Sequence, residues 1–147
     1  MAEYYFTYQS ASESEEIMLD DLEAVLRKHQ VEASIHHRFV LAVSEAFTNA
    51  LVHGNAYDSK KLIRMRLEVN EFAMTADISD EGRFGLARVG RKKPPALLAE
   101  GGRGIDLIRH YASRVEFSET DSGGLNVTIG INWDKTTNSH IRSTHGG

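Results

Sequence analysis

The chain has 147 residues, of which 41% are hydrophobic and 26% charged, with a formal net charge of -4 and no cysteine. That length fills one core and is too short for two ordinary domains; the acidic balance argues against direct nucleic-acid binding, and the missing cysteines exclude disulfides and thiolate metal sites. No stretch is apolar for long enough to cross a bilayer and the start, MAEYYFTYQS, carries no basic residue, so a cytoplasmic protein without membrane contacts is expected.

Tyr4, Phe6 and Tyr8 alternate with Tyr5 and Thr7, which predicts an opening strand at a sheet edge. Ser12 and Glu15 have the form of a capping box. Acidic residues crowd the turns that follow, and Arg27, Lys28 and His29 close the segment, so residues 13–29 read as a helix with Met18, Leu22, Val25 and Leu26 on its core face. Ser34 stands where it could cap the next helix.

That next helix, with FVLAVSEAFTNALVHGN from Phe39 to Asn55 at its heart, has two kinds of face. Phe39, Val43, Phe47 and Ala50 form an apolar stripe, flanked by Val40 and Leu51 on one margin and Ala46 on the other. Glu45, Asn49 and His53 recur every fourth residue and stack as a polar ladder beside it. A carboxylate and a carboxamide bordering a core meet a ligand half desolvated, which is where catalytic groups are commonly placed; the plainer reading is a solvated helix flank.

The period then changes to two. Ile63, Met65, Leu67 and Val69 alternate with polar residues, and a second strand, Phe72 to Ser79, follows a turn near Asn70 and Glu71, giving an antiparallel hairpin. Phe72, Met74, Ala76 and Ile78 share one face, and the same phase puts Asp80 on it. A carboxylate sent inward needs hydrogen-bond donors from protein, water or ligand, an Asx turn being the bland alternative. The run after Asp80 is rich in glycine, holds both prolines and carries Arg83, Arg88, Arg91, Lys92 and Lys93, so it reads as a mobile loop able to close over an anion. Gly101, Gly102 and Gly104 lead into a short helix from Ile105 to Tyr111. Two strands, Arg114 to Glu119 and one through Leu125, Val127, Ile129 and Ile131 to Trp133, complete a domain over residues 1–133, and 134–147 reads as a flexible tail.

Glu45-x-x-x-Asn49 on a helix, Asp80-x-Gly82 after a hairpin, and Gly102-Arg103-Gly104 opening a helix resemble, in that order, the Bergerat or GHKL superfamily of gyrase, heat-shock chaperone ATPases, histidine kinases and MutL. Within it, EAFTNALVHGN, SDEGRFG and GGRGIDLIRHYASRVEF look like the anti-sigma-factor serine kinases of the RsbW and SpoIIAB type. The resemblance implies an α/β two-layer sandwich, helices on one face of a mixed, mostly antiparallel sheet. It implies Glu45 as general base, Asn49 as the Mg²⁺ ligand, and Asp80 as acceptor for the adenine amino group. Gly82 then lies against the base, and Gly102, Arg103 and Gly104 bind the phosphates of ATP. The implied substrate is a serine on a STAS-domain anti-anti-sigma protein and the implied captive a sigma factor, with a homodimer left open; for His53 the expectation is structural. The segment before the central helix is too short for a helical hairpin bearing a phosphoacceptor, so neither His36 nor His37 is expected to be one. One departure stands out: the superfamily's Asp-x-Gly-x-Gly here reads Asp80-Glu81-Gly82-Arg83-Phe84, leaving Gly85 as the only stand-in for the second glycine. The competing reading is therefore a sequestering module, nucleotide-dependent or degenerate, that holds its partner without phosphorylating it.

Overall fold

The stretches of period two become strands, and the helical stretches pack on one side of them. In the computed structural model, which describes residues 1–90 and 105–133, the strands are β1 (Ala2–Gln9), β2 (Leu62–Val69), β3 (Ala73–Ser79), β4 (Arg114–Glu119) and β5 (Leu125–Asn132). They form one sheet in the order β1-β2-β3-β5-β4, and every pairing is antiparallel where the sequence allowed a mixed sheet. β1 is an edge, as its position in the sequence suggested, and β4 is the other.

Alternation settles which side is wet. Ile63, Met65, Leu67, Met74, Ala76, Ile78, Val127 and Ile129 are buried toward the helices. On the outer face Arg66 pairs with Glu3, Glu68 and Asp77, a solvated network of charges rather than a second core. Phe72 departs from expectation: it is exposed and precedes the strand, because the Asn70 side-chain oxygen accepts hydrogen bonds from the N–H groups of both Phe72 and Ala73 and widens the hairpin turn.

α1 (Glu13–Lys28) buries Met18, Leu22, Val25 and Leu26 and keeps its acidic first turn and basic last turn. The capping box does not form. Ser12 already has helical dihedrals, φ -55° and ψ -37°, so its hydroxyl is not presented to the free amides as an extended N-cap would present it. α2 (Ala33–Asn49) starts one residue before Ser34, whose hydroxyl donates to Glu32 rather than capping the helix. Phe39, Val43, Ala46, Phe47, Ala50 and Leu51 are buried as the stripe required.

The far end of α2 is not the continuous α-helix the sequence suggested. Ala50–Gly54 is a π-helical turn, closed by the Asn55 N–H donating to the Ala50 carbonyl at 2.8 Å. The wider turn shifts the phase of everything after Asn49. His53 is exposed, while Glu45 and Asn49 are half-buried.

Downstream, part of the expected loop is ordered as helix: α3 (Gly85–Gly90) follows the Asp80 turn. The expected basic residues Arg91, Lys92 and Lys93, the glycine motif Gly102-Arg103-Gly104 and the tail 134–147 lie outside the described residues. Residues 105–111 are helical (α4) and bury Ile108. Among the described residues no helix is long and apolar enough to cross a membrane.

Candidate functional site

Asp80 is 3% exposed, immediately beyond β3, on the face where the phase of that strand sends it. Its charge is met from three directions. One carboxylate oxygen accepts the backbone N–H groups of Gly82 at 2.9 Å and Leu125 at 3.2 Å; the other takes the Arg88 guanidinium at 2.6 Å. The Gly82 bond is the Asx turn foreseen as the bland alternative, and the Arg88 ion pair is a second role that the sequence did not show. Arg88 had been expected among cations over an anion; it sits instead on α3 with its charge committed to Asp80.

The carboxyl is walled by backbone. A side chain at Gly54 would overlap the Asp80 carboxyl group, one at Gly82 would overlap the Gly54 carbonyl, and one at Gly124 would overlap the Asp80 backbone. Gly82 is thus required for close approach to the Gly54 backbone, and Gly54 and Gly124 are held equally tightly against Asp80. Of these, Gly124 carried no signal in the sequence beyond its place in a turn.

Asn55 fixes this arrangement and was missed in the sequence, where it merely ended a helix. It is 1% exposed, and its side-chain oxygen accepts the Glu81 N–H at 2.7 Å. Its amide donates to the Ser10 hydroxyl at 2.7 Å and to the Leu62 carbonyl at 2.9 Å, while Ser10 donates onward to the Lys61 carbonyl at 2.8 Å. Glu81 closes the set by accepting the Leu62 N–H at 2.6 Å. The π turn, the Asp80 turn, the end of β1 and the start of β2 are joined by one buried carboxamide with both its donors and its acceptor in use.

Upstream on the same helix, Glu45 and Asn49 are half-buried one turn apart, and neither side chain hydrogen-bonds another described residue. Desolvation, and secondarily the negative charge of Glu15 on α1, raise the Glu45 carboxyl above its ordinary range. A carboxylate so placed is a stronger proton acceptor than a solvated one. Among the described residues no group of three or more His, Asp or Glu side chains is poised for a metal ion. Asn49 presents a neutral side-chain oxygen, a donor type that suits a hard cation.

The irregular motif has a conformational answer. Phe84, at the position of the second glycine, takes φ 57°, the left-handed region, with its ring 68% exposed. Gly85, the next residue, is packed where a Cβ would overlap the Gly124 carbonyl. Phenylalanine thus holds a backbone state that favours glycine and turns its bulk outward.

Residues 9–131 match the family model described as the histidine kinase-like ATPase domain. Over 93 residues the chain is 29% identical to an anti-sigma F factor of Clostridium beijerinckii, covering 60% of this chain and 64% of that protein. It is 30% identical over 106 residues to a serine-protein kinase RsbW of Halalkalibacterium halodurans, covering 67% of this chain and 64% of the relative. The chain thus spans a little under two thirds of the length of these curated relatives. Among solved structures, the RsbU and RsbW domains of a Mycobacterium tuberculosis protein superpose with a TM-score of 0.65 at 20% identity, covering 89% of this chain and 32% of that one. The SiaB-SiaC complex from Pseudomonas aeruginosa gives a TM-score of 0.54 at 15% identity, covering 88% and 89%. At these identities the likeness is one of fold.

Proposed function

Because the chain belongs to the family of histidine kinase-like ATPase domains, we propose that it binds ATP beside α2 and transfers the γ-phosphoryl group to a serine on a small STAS-domain anti-anti-sigma protein, a reaction coupled to capture of a sigma factor. The relatives named as anti-sigma F factor and as serine-protein kinase support this reading. The observation that carries it is the run of α2: half-buried Glu45 and Asn49 lead straight into the turn that seats Gly54 on the Asp80 carboxyl. One element thus links a candidate base, a candidate metal ligand and a candidate base-reading carboxylate.

In this mechanism Asp80 accepts the exocyclic N–H of adenine, a contact that the carbonyl of guanine cannot return. Gly54, Gly82 and Gly124 bring backbone, not side chains, to that carboxyl. Asn49 would hold Mg²⁺ through its side-chain oxygen, and the chemistry such an ion would supply is positive charge beside the phosphates. Gly102, Arg103 and Gly104 are assigned to the phosphates by their place in the motif. Glu45 takes the serine proton as the hydroxyl oxygen bonds to the γ-phosphorus. The bond from that phosphorus to the β-γ bridging oxygen breaks, and ADP leaves.

A sequestering module without transfer remains the second reading, favoured by the Arg88 guanidinium on Asp80 and by phenylalanine at the second glycine position. Single-turnover incubation with ATP labelled in the γ position and a STAS-domain protein separates the two. The kinase reading expects phosphoserine on the STAS protein; ATP binding with no transfer to any such protein would favour sequestration.

A further inference from the structure

Asp80 is where the proposed ligand must be read, yet its side chain is 1% exposed and Arg88 lies on it. Nothing can hydrogen-bond this carboxylate unless a neighbour withdraws. Gly54 and Gly124 press on it with backbone, and those walls belong to the end of α2 and to the turn before β5. Arg88 is different in kind, since it is the one side chain that reaches the carboxylate among the described residues.

Two further features make that contact displaceable. The Arg88 Nε is buried with no hydrogen-bond partner among the described residues, so the pairing gains less than a fully satisfied buried pair would. The helix that carries Arg88 is also short: Leu86 is exposed, Val89 packs against the core while only partly buried, and the helix reaches its neighbours through the Gly85 N–H on the Gly123 carbonyl and a long 3.4 Å bond from the Leu86 N–H to Glu119.

We propose that Arg88 is a built-in competitor for the base: its guanidinium occupies the carboxylate that the ligand's exocyclic amino group must reach, so nucleotide binding expels Arg88 from Asp80. This rests on the nucleotide reading above and adds a determinant of affinity and selectivity to it. The ligand class is a nucleoside di- or triphosphate whose base carries an amino group at the recognised edge. A base with a carbonyl there does not bond the carboxylate whether or not Arg88 is present, so the competitor lowers affinity for the amino-bearing base and narrows its margin over the other.

Arg88→Gln removes the charge while keeping a short donor, and Arg88→Met removes both; the first guards against a variant that fails to fold around a lone buried carboxylate. With MgADP as probe, both should bind about 10- to 100-fold more tightly than the wild type, the span expected for releasing one charge-assisted hydrogen bond. With MgIDP, which carries a carbonyl in place of the amino group, neither should tighten. In the wild type, the NMR signals of the Arg88 guanidinium should report an immobilised ion pair in the free protein and lose it as MgADP saturates. Wild-type binding of MgADP with the Arg88 pair intact at saturation, or unchanged affinity in both variants, would overturn the proposal and leave the nucleotide site standing. Equal tightening toward MgIDP would overturn the selectivity role. No binding of MgADP by wild type or either variant would overturn both the proposal and the nucleotide reading.

Discussion

Glu45 should report itself in two independent measurements, because a carboxyl that is hard to ionise is both a better base and a cost to the fold. Its pKa lies above the usual value, through burial first and the Glu15 charge second. A folded-state pKa raised in this way contributes stability that is complete below the ordinary pKa and is lost as pH rises through the folded value. Glu45→Gln escapes that loss. Its melting temperature should therefore exceed that of the wild type at about pH 8, and the gap should close on descending to about pH 4. Phosphoryl transfer by the same variant should fall by roughly 10²- to 10⁴-fold in single-turnover assays, with ADP affinity little changed. Unchanged transfer would remove Glu45 as the base, whatever the melting curves show.

The turn after β3 provides the test at the scale of an element. Phe84 holds φ 57° with its ring in solvent, so the side chain contributes little packing to offset the strain. Phe84→Gly should be as stable as the wild type or more so, whereas Phe84→Val, β-branched in the same left-handed state, should be less stable by about 1–2 kcal/mol; urea titration of the three proteins gives the order. This turn also marks where sequence reasoning stopped. Burial of Phe39, Val43 and Phe47, and the inward phase that places Asp80, followed from period alone. The π turn did not, because an extra residue within a helical turn changes phase without altering which residue types are present. Nor did the caps: Ser12 and Ser34 are the right residue types, but backbone dihedrals at Ser12 and an earlier start of α2 leave their hydroxyls elsewhere. α3 was hidden because Leu86, Ala87, Arg88 and Val89 lie between glycines and before two prolines, a context that reads as loop. The Arg88–Asp80 pair and the Asn55 contacts join residues distant in sequence, and no local pattern encodes such meetings.

For the molecule as a whole, the sheet order predicts a gradient of protection. β3 lies between β2 and β5 and is covered on its inner face by helices, whereas among the described residues β1 and β4 each leave one side unpaired. Amides of β3 and β5 should exchange slowest, by global unfolding, and those on the free sides of β1 and β4 should exchange fastest. Uniform exchange across all five strands would argue against this edge assignment. Nucleotide, if bound as proposed, should leave the gradient in the sheet intact and alter exchange around α3 and the Asp80 turn.

The Asn55 carboxamide also has a bearing on the order in which the chain assembles. Its partners come from residues 10, 62 and 81, so the contact to Ser10 closes a long stretch of chain and the contact to Glu81 another. Loop-closure entropy is spent before such a bond returns anything, and all three bonds need β1, β2 and the end of β3 to be in place already. The side chain therefore acts as a late fastening. Asn55→Ala should leave the refolding rate nearly unchanged and accelerate unfolding, so that nearly all the lost stability falls on the unfolding limb of a chevron plot. The carboxamide would then govern how long the native state lasts far more than how quickly it is reached.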